Sequence, residues 1–109
     1  MNSVCLVGRV SRHPQTRFEG ESQTASFTLV VEERSYGSEN KQFTLYVPCT
    51  SWGKSAEVCS LLNQGDLISV QGRLTWRKQV GKCGTEHSQL VVNVRDIAVL
   101  DAAAVEVSV

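Results

Sequence analysis

Two kinds of side chain in this sequence could do chemistry: rings set against a strand's apolar parity, and cations grouped without acids. In the stretch FTLYVPCTSWGK, Phe43, Leu45, Val47 and Cys49 occupy one parity. Thr44, Tyr46, Pro48, Thr50 and Trp52 occupy the other. Alternate residues of a strand face opposite sides, so Tyr46 and Trp52 point away from the core that the first set builds. A ring presented there can stack on a planar group or fill a subunit contact. Stacking on a nucleobase contributes about 1–3 kcal/mol, with little regard to which base it is.

The net charge is zero, which by itself argues against a partner rich in phosphate. The distribution argues otherwise. Residues 1–17 carry Arg9, Arg12 and Arg17 and no acid, and residues 67–85 carry Arg73, Arg77, Lys78 and Lys82 and no acid. The stretch 19–39 compensates with five glutamates against Arg34 alone. If the two basic stretches meet in space, a neutral protein carries a positive patch. Arg73, Thr75 and Arg77 share the outward parity of a later strand, which would set cations beside the rings: rings for bases, guanidinium and ammonium groups for phosphates.

Other chemistry finds less support. Cys5, Cys49, Cys59 and Cys83 form no Cys-x-x-Cys pair, and reduced core cysteines are the simplest reading. Cys83-x3-His87 is the one ligand-like spacing, and it lacks a second pair. No Ser-His-Asp set and no phosphate-cradling glycine loop is present. Glu32 and Glu33 are adjacent, so on a strand they face opposite sides. The expectation is a non-enzyme with no metal and no cofactor.

The elements that must position these groups follow from periodicity. Ser3–Val10 alternates around Gly8; residues 11–23 hold Pro14 and Gly20 and form a loop or short ribbon; Ala25–Val31 alternates clearly. A polar stretch from Glu32 to Gln42 makes a long hairpin loop with Tyr36 as its lone aromatic. After the strand over 43–49, Ser55–Leu62 is the one helix candidate, with Ala56, Val58, Cys59 and Leu62 as its apolar set and Asn63-Gln64-Gly65 as its stop. Leu67–Trp76 and Gln89–Leu100 are two more strands around a basic hairpin loop. Glycines inside short strands favour a closed barrel, where the chain must bend. Five strands with a helix between the third and fourth make an all-β OB-fold barrel; a flat sandwich with a stray helix is the alternative.

At 109 residues, 41% hydrophobic and 20% charged, the chain has the length of one domain, here 1–101, followed by a short tail at 102–109. No run approaches the roughly 18–20 apolar residues of a membrane span. The amino terminus lacks the features of a signal peptide, which leads to an expectation of an intracellular protein, in the cytoplasm or an organellar stroma.

The motifs also resemble a known family. MNSVCLVGRVSRHPQTRF is similar to the opening of bacterial-type single-stranded DNA-binding proteins, and so are TSWGKSAEVCSLLNQGDLISVQGRL and QLVVNVRDIAVL to later blocks. The likeness runs from about Met1 to Leu100. It implies an OB-fold, binding of single-stranded DNA without sequence specificity (RNA being a further option), and a homo-oligomer, a tetramer ahead of a dimer. It also implies roles in replication, recombination or repair. Carried over by position, Trp52 and Tyr46 fall on base-stacking sites, Arg17, Lys54 and Arg77 on strand-contacting basic sites, and Tyr36 near a third stacking site. Arg73 and Lys78 join them from the basic stretch.

Departures accompany the likeness. Gln79 stands where the family commonly has an aromatic. Trp76, three residues earlier and on core parity, is expected to pack inward. The family's long segment with an acidic tip has no counterpart here, so recruitment of repair proteins by such a tail is not expected, and DNA affinity should be weaker. The competing reading is an OB-fold interaction or oligomerisation module in which Tyr46 and Trp52 lie in a protein interface.

Overall fold

Alternating apolar residues along most of the chain leave little choice but strands, and strands account for most of it. The computed structural model describes residues 1–34, 41–81 and 83–103. Its elements are β1 (Val4–Val10), β2 (Gln15–Glu19), β3 (Ser22–Arg34), β4 (Gln42–Trp52), α1 (Lys54–Ser60), β5 (Leu67–Val80) and β6 (Glu86–Asp101). The sheet runs β1-β5-β6-β4-β3-β2, and an extra β1–β3 pairing at Arg9–Val30 and Val10–Leu29 brings its ends together. Five strands therefore close into a ring, and β2 is added outside it as a ribbon on β3. This is the OB-fold, with its helix between β4 and β5.

Closure requires bends, and two glycines supply them. A Cβ on Gly8 would collide with the carbonyl of Val30, and one on Gly72 with the carbonyl of Asn93. Each glycine thus sits where two strands approach too closely for any side chain. At Gly72 the β5–β6 register also slips, since Gln71 faces Asp96 while Gly72 faces Val94. That bulge leaves Arg95 as the extra residue and sharpens the local bend.

The inward parities of the five ring strands meet in one core: Val10, Ala25, Phe27, Leu29, Val31, Cys49, Ile68, Val70, Val92 and Val94, closed at one end by Ala56, Cys59 and Leu62. The helix is shorter than its apolar spacing suggests. It stops at Ser60 and has Leu61 as its C-cap, while Gly65, at φ +91°, belongs to the next turn. Val58, expected on its apolar face, is exposed.

A second correction concerns how far the core extends. Phe43 and Leu45 lie on the inward parity of β4 and were expected inside, yet they are about half exposed (51% and 48%). Trp76, also expected to pack inward, is 66% exposed. The reason is the length of the hairpins. β1 pairs with β5 only from Leu67 to Gly72, and β4 pairs with β6 only at Cys49 and Thr50. Beyond those residues β3–β4 and β5–β6 continue as two-stranded arms, whose inward parity has no opposite wall to pack on. Parity predicts which way a side chain points, and burial needs something on the other side.

Candidate nucleic-acid interface

The register of β2, β3 and β4 aligns the outward residues in rows. Arg17 lies opposite Thr24, which lies opposite Trp52; Gln15 lies opposite Ser26, which lies opposite Thr50. Across the parallel β4–β6 junction Thr50 meets Asn93, and β6 then carries Asn93, Val91 and Gln89 opposite Arg73, Thr75 and Arg77 of β5. Paired residues share a face of the sheet, so these side chains form one outer wall. It is built from small polar groups, which let a ligand approach the sheet closely.

Two recesses open along that wall. One is lined by Arg12, His13, Tyr46, Pro48, Arg77 and Gln89 among others, and the second by Arg17, Glu19, Thr24, Trp52, Thr75 and Asn93 among others. Gln15, Ser26, Thr50, Arg77 and Val91 line both. They are therefore two ends of a single channel with Arg77 at its middle. Tyr46 and Trp52 are 68% and 54% exposed, and each stands at a different end. Six residues of strand separate them, or about 20 Å at 3.3 Å per residue. That span serves two separate stacking positions and not a clamp on one ring.

The backbone holds these groups by local devices. Pro48 sits where β4 has left β6, so its missing N–H costs no ladder bond on that side. After Trp52 the chain turns at Gly53, whose φ of +64° suits glycine, and its N–H donates to the Gln23 carbonyl at 3.0 Å. Trp52 is thereby fixed to β3 at the point where the helix begins. The Thr24 hydroxyl donates to the Arg17 carbonyl at 3.4 Å, tying the β2 ribbon to the wall.

Charge along the channel is uneven. The lining of the Tyr46 end includes Arg12, His13 and Arg77 with no carboxylate, whereas the Trp52 end sets Glu19 beside Arg17 and Arg77. Beneath the floor, burial and the neighbouring Cys59 push the Cys49 thiol up to about 12, with a backbone bond at Leu29 opposing them. Burial raises Cys59 as well, against a hydrogen bond from Ser51. Neither thiol offers a nucleophile to the channel. Cys5 and Cys83 are free and exposed, so the reading of all four as core cysteines holds for Cys49 and Cys59 only.

Of the residues singled out by sequence, Tyr46, Trp52, Arg17 and Arg77 line the channel together. Lys54, at the start of α1, is exposed but is not part of its lining, and neither is Arg73. Lys78 pairs with Ser88 on the opposite parity from Arg77 and so faces the other side of the β5–β6 arm. Tyr36 lies outside the described residues. Sequence reasoning did not select Arg12 and His13, nor the polar floor of Gln15, Ser26 and Thr50. The alternation of Thr24, Ser26 and Thr28 against Ala25, Phe27 and Leu29 was a usable signal for the floor. For Arg12 and His13 the only signal was their place in an acid-free stretch. Trp76 borders the Trp52 end of the channel, although its register partner is Leu90 and the pair shares the inward parity of Leu74 and Val92.

Residues 1–100 match the model of the single-strand binding protein family. The chain belongs to that family. Among curated relatives, a single-stranded DNA-binding protein of Clostridium acetobutylicum is 33% identical over 104 residues, covering 93% of this chain and 72% of the relative. One from Clostridium tetani is 33% identical over 89 residues, covering 80% and 61%. One from Listeria innocua is 35% identical over 86 residues, covering 77% and 54%. The chain thus spans between about half and three quarters of the length of these three relatives. No helix among the described residues is long and apolar enough to cross a membrane.

Proposed function

We infer that this protein binds single-stranded DNA without sequence preference, through the channel on the outer wall of the barrel, in replication, recombination or repair. The carrying observation is the channel itself: exposed Tyr46 and Trp52 at its two ends, with Arg77 between them and Arg17 and Arg12 along its rims. Rings there receive bases, which are interchangeable as π-faces. The guanidinium groups take phosphates and release counterions. A binding role, without catalysis, suits a wall of small polar residues over deeply buried thiols. Such a ligand supports the reading of a cytoplasmic, nucleoid-associated protein.

Residues 1–101 are the binding unit in this reading, supported by β6 ending at Asp101. A homo-oligomer, a tetramer ahead of a dimer, is the proposed working form. Exposed Val7, Val99 and Leu100 on the β1 and β6 surface support it, as does β1 itself, which from Val4 to Gly8 has, among the described residues, a strand neighbour only in β5.

Titration with oligo(dT) at low salt, followed by tryptophan fluorescence, tests the reading. Stacking at Trp52 should quench the emission, and added salt should reverse it. Oligo(U) in the same assay reports on RNA. No quenching at low salt, together with no shift of a labelled oligonucleotide, would reject the function. The second reading, a protein-interaction module, is favoured by the uncovered apolar side of the two arms. Under it, Trp52→Ala lowers the assembly mass and leaves DNA binding unchanged.

A further inference from the structure

The loop between β1 and β2 presents two adjacent side chains, Arg12 and His13, that line the Tyr46 end of the channel. They are held from both sides. The N–H of Ser11 donates to the Thr28 carbonyl at 2.9 Å, Val10 before it is in the core, and Pro14 after them is buried. Arg12 and His13 are themselves exposed. A short exposed step between two fixed points, facing a groove, is a preorganised contact and not a loose loop end.

What surrounds them decides their partner. The charged and titratable groups lining this recess are Arg12 from the same loop, Tyr46 and Cys49 from β4, and Arg77 from β5. From β3 come Ser26, Phe27 and Thr28, and from β6 Gln89 and Val91, none of which titrates in the neutral range. Among the described residues the recess lining includes no carboxylate, so it supplies cations without an internal counter-ion. Histidine is the side chain type whose charge changes between about pH 5 and 8. A phosphate entering between Arg12, His13 and Arg77 would give an imidazolium the anionic partner that the recess lacks.

We propose that Arg12 and His13 form a proton-linked phosphate contact, so that binding of single-stranded DNA is accompanied by net proton uptake onto the His13 imidazole. The proposal rests on the channel being the DNA path. Affinity is highest where His13 is protonated and falls as the pH rises. The channel then has two functional ends: a proton-sensitive grip on the backbone near Tyr46, and a pH-insensitive stacking end at Trp52.

The test measures affinity of the full chain for oligo(dT), whose bases do not titrate in this range, from about pH 5.5 to about pH 7.5 at fixed ionic strength. The wild type should weaken by about two- to fivefold across it, as the imidazolium–phosphate contact is lost with rising pH. The plot of log affinity against log salt should be steeper at the acid end by about 0.7, one phosphate contact on a single strand. His13→Gln should flatten both effects. His87→Gln, which alters the other histidine, near Gly81 at the tip of the β5–β6 arm, should leave them in place. Trp52→Ala separates the two levels. If it weakens binding while His13→Gln keeps the wild-type pH dependence, the channel stands and the proton linkage is wrong. If Trp52→Ala has no effect on binding, the channel is not the DNA path and the proposal falls with it.

Discussion

Trp52 and Tyr46 bear their rings on solvent, so their removal costs the fold little and the ligand much. Trp52→Ala and Tyr46→Ala should each weaken oligo(dT) binding by about 1–3 kcal/mol, read by competition with a labelled strand. Their thermal midpoints should stay close to wild type. The cysteines divide in the same way, by position relative to the core. With burial holding Cys49 and Cys59 protonated, an aromatic disulfide reagent at pH 8 should label Cys5 and Cys83 promptly. The other two should react only on unfolding. Tyr46 and Trp52 were legible in the sequence because strand parity is a local property. Arg12 and His13 were not, since their role depends on Tyr46 and Arg77 being brought beside them by closure of the barrel. Trp76 was misjudged because parity gives direction and not the presence of an opposing wall.

Among the elements, the turn after α1 holds together three distant parts of the chain. The N–H of Val10 donates to the Asp66 carbonyl, and that of Gly65 to the Val10 carbonyl. The Asp66 side chain, nearly fully buried, accepts from the N–H of Ala103 at 2.7 Å and of Asn63 at 2.9 Å. Those bonds, the Ala103 one first, hold its carboxyl below the usual range against the opposing effect of burial. A depressed folded value contributes stability that is complete above the unfolded value of about 3.9 and is lost as the pH falls through the folded one. Asp66→Asn should therefore cost about 1.5–3 kcal/mol near neutrality, and the deficit should shrink in acid, as denaturant midpoints at both pH values would report. Gly8 and Gly72 are a different kind of constraint. Alanine at either would press a methyl on a strand carbonyl, and about 1–3 kcal/mol of destabilisation is expected, measurable by urea unfolding. The order of elements along the chain and the helix position were readable from periodicity. The arms were not, because a ribbon beyond the barrel keeps the same alternation as the strand inside it.

For the whole molecule, zero net charge does not oppose a phosphate ligand, because the acids and bases are segregated. Glu32 and Glu33 lie on β3 outside the channel lining, which includes Glu19 alone of the described acids, while Arg12, Arg17 and Arg77 converge on it. Single-strand affinity should accordingly fall with salt, each phosphate contact adding about 0.7 to the slope, and three cations predict a slope of about 2 for one protomer. The barrel, its closure and the family were foreseeable from motif blocks that span nearly the whole chain. The continuity of the channel was not, since it depends on β2, β3, β4, β5 and β6 presenting five short polar rows side by side. The most direct test of that channel is photo-crosslinking to oligo(dT) carrying 5-iododeoxyuridine, with the modified residues located by mass spectrometry. Adducts on Tyr46 and Trp52 are predicted; adducts confined to Phe18 and Phe43, exposed rings outside the channel lining, would contradict the account.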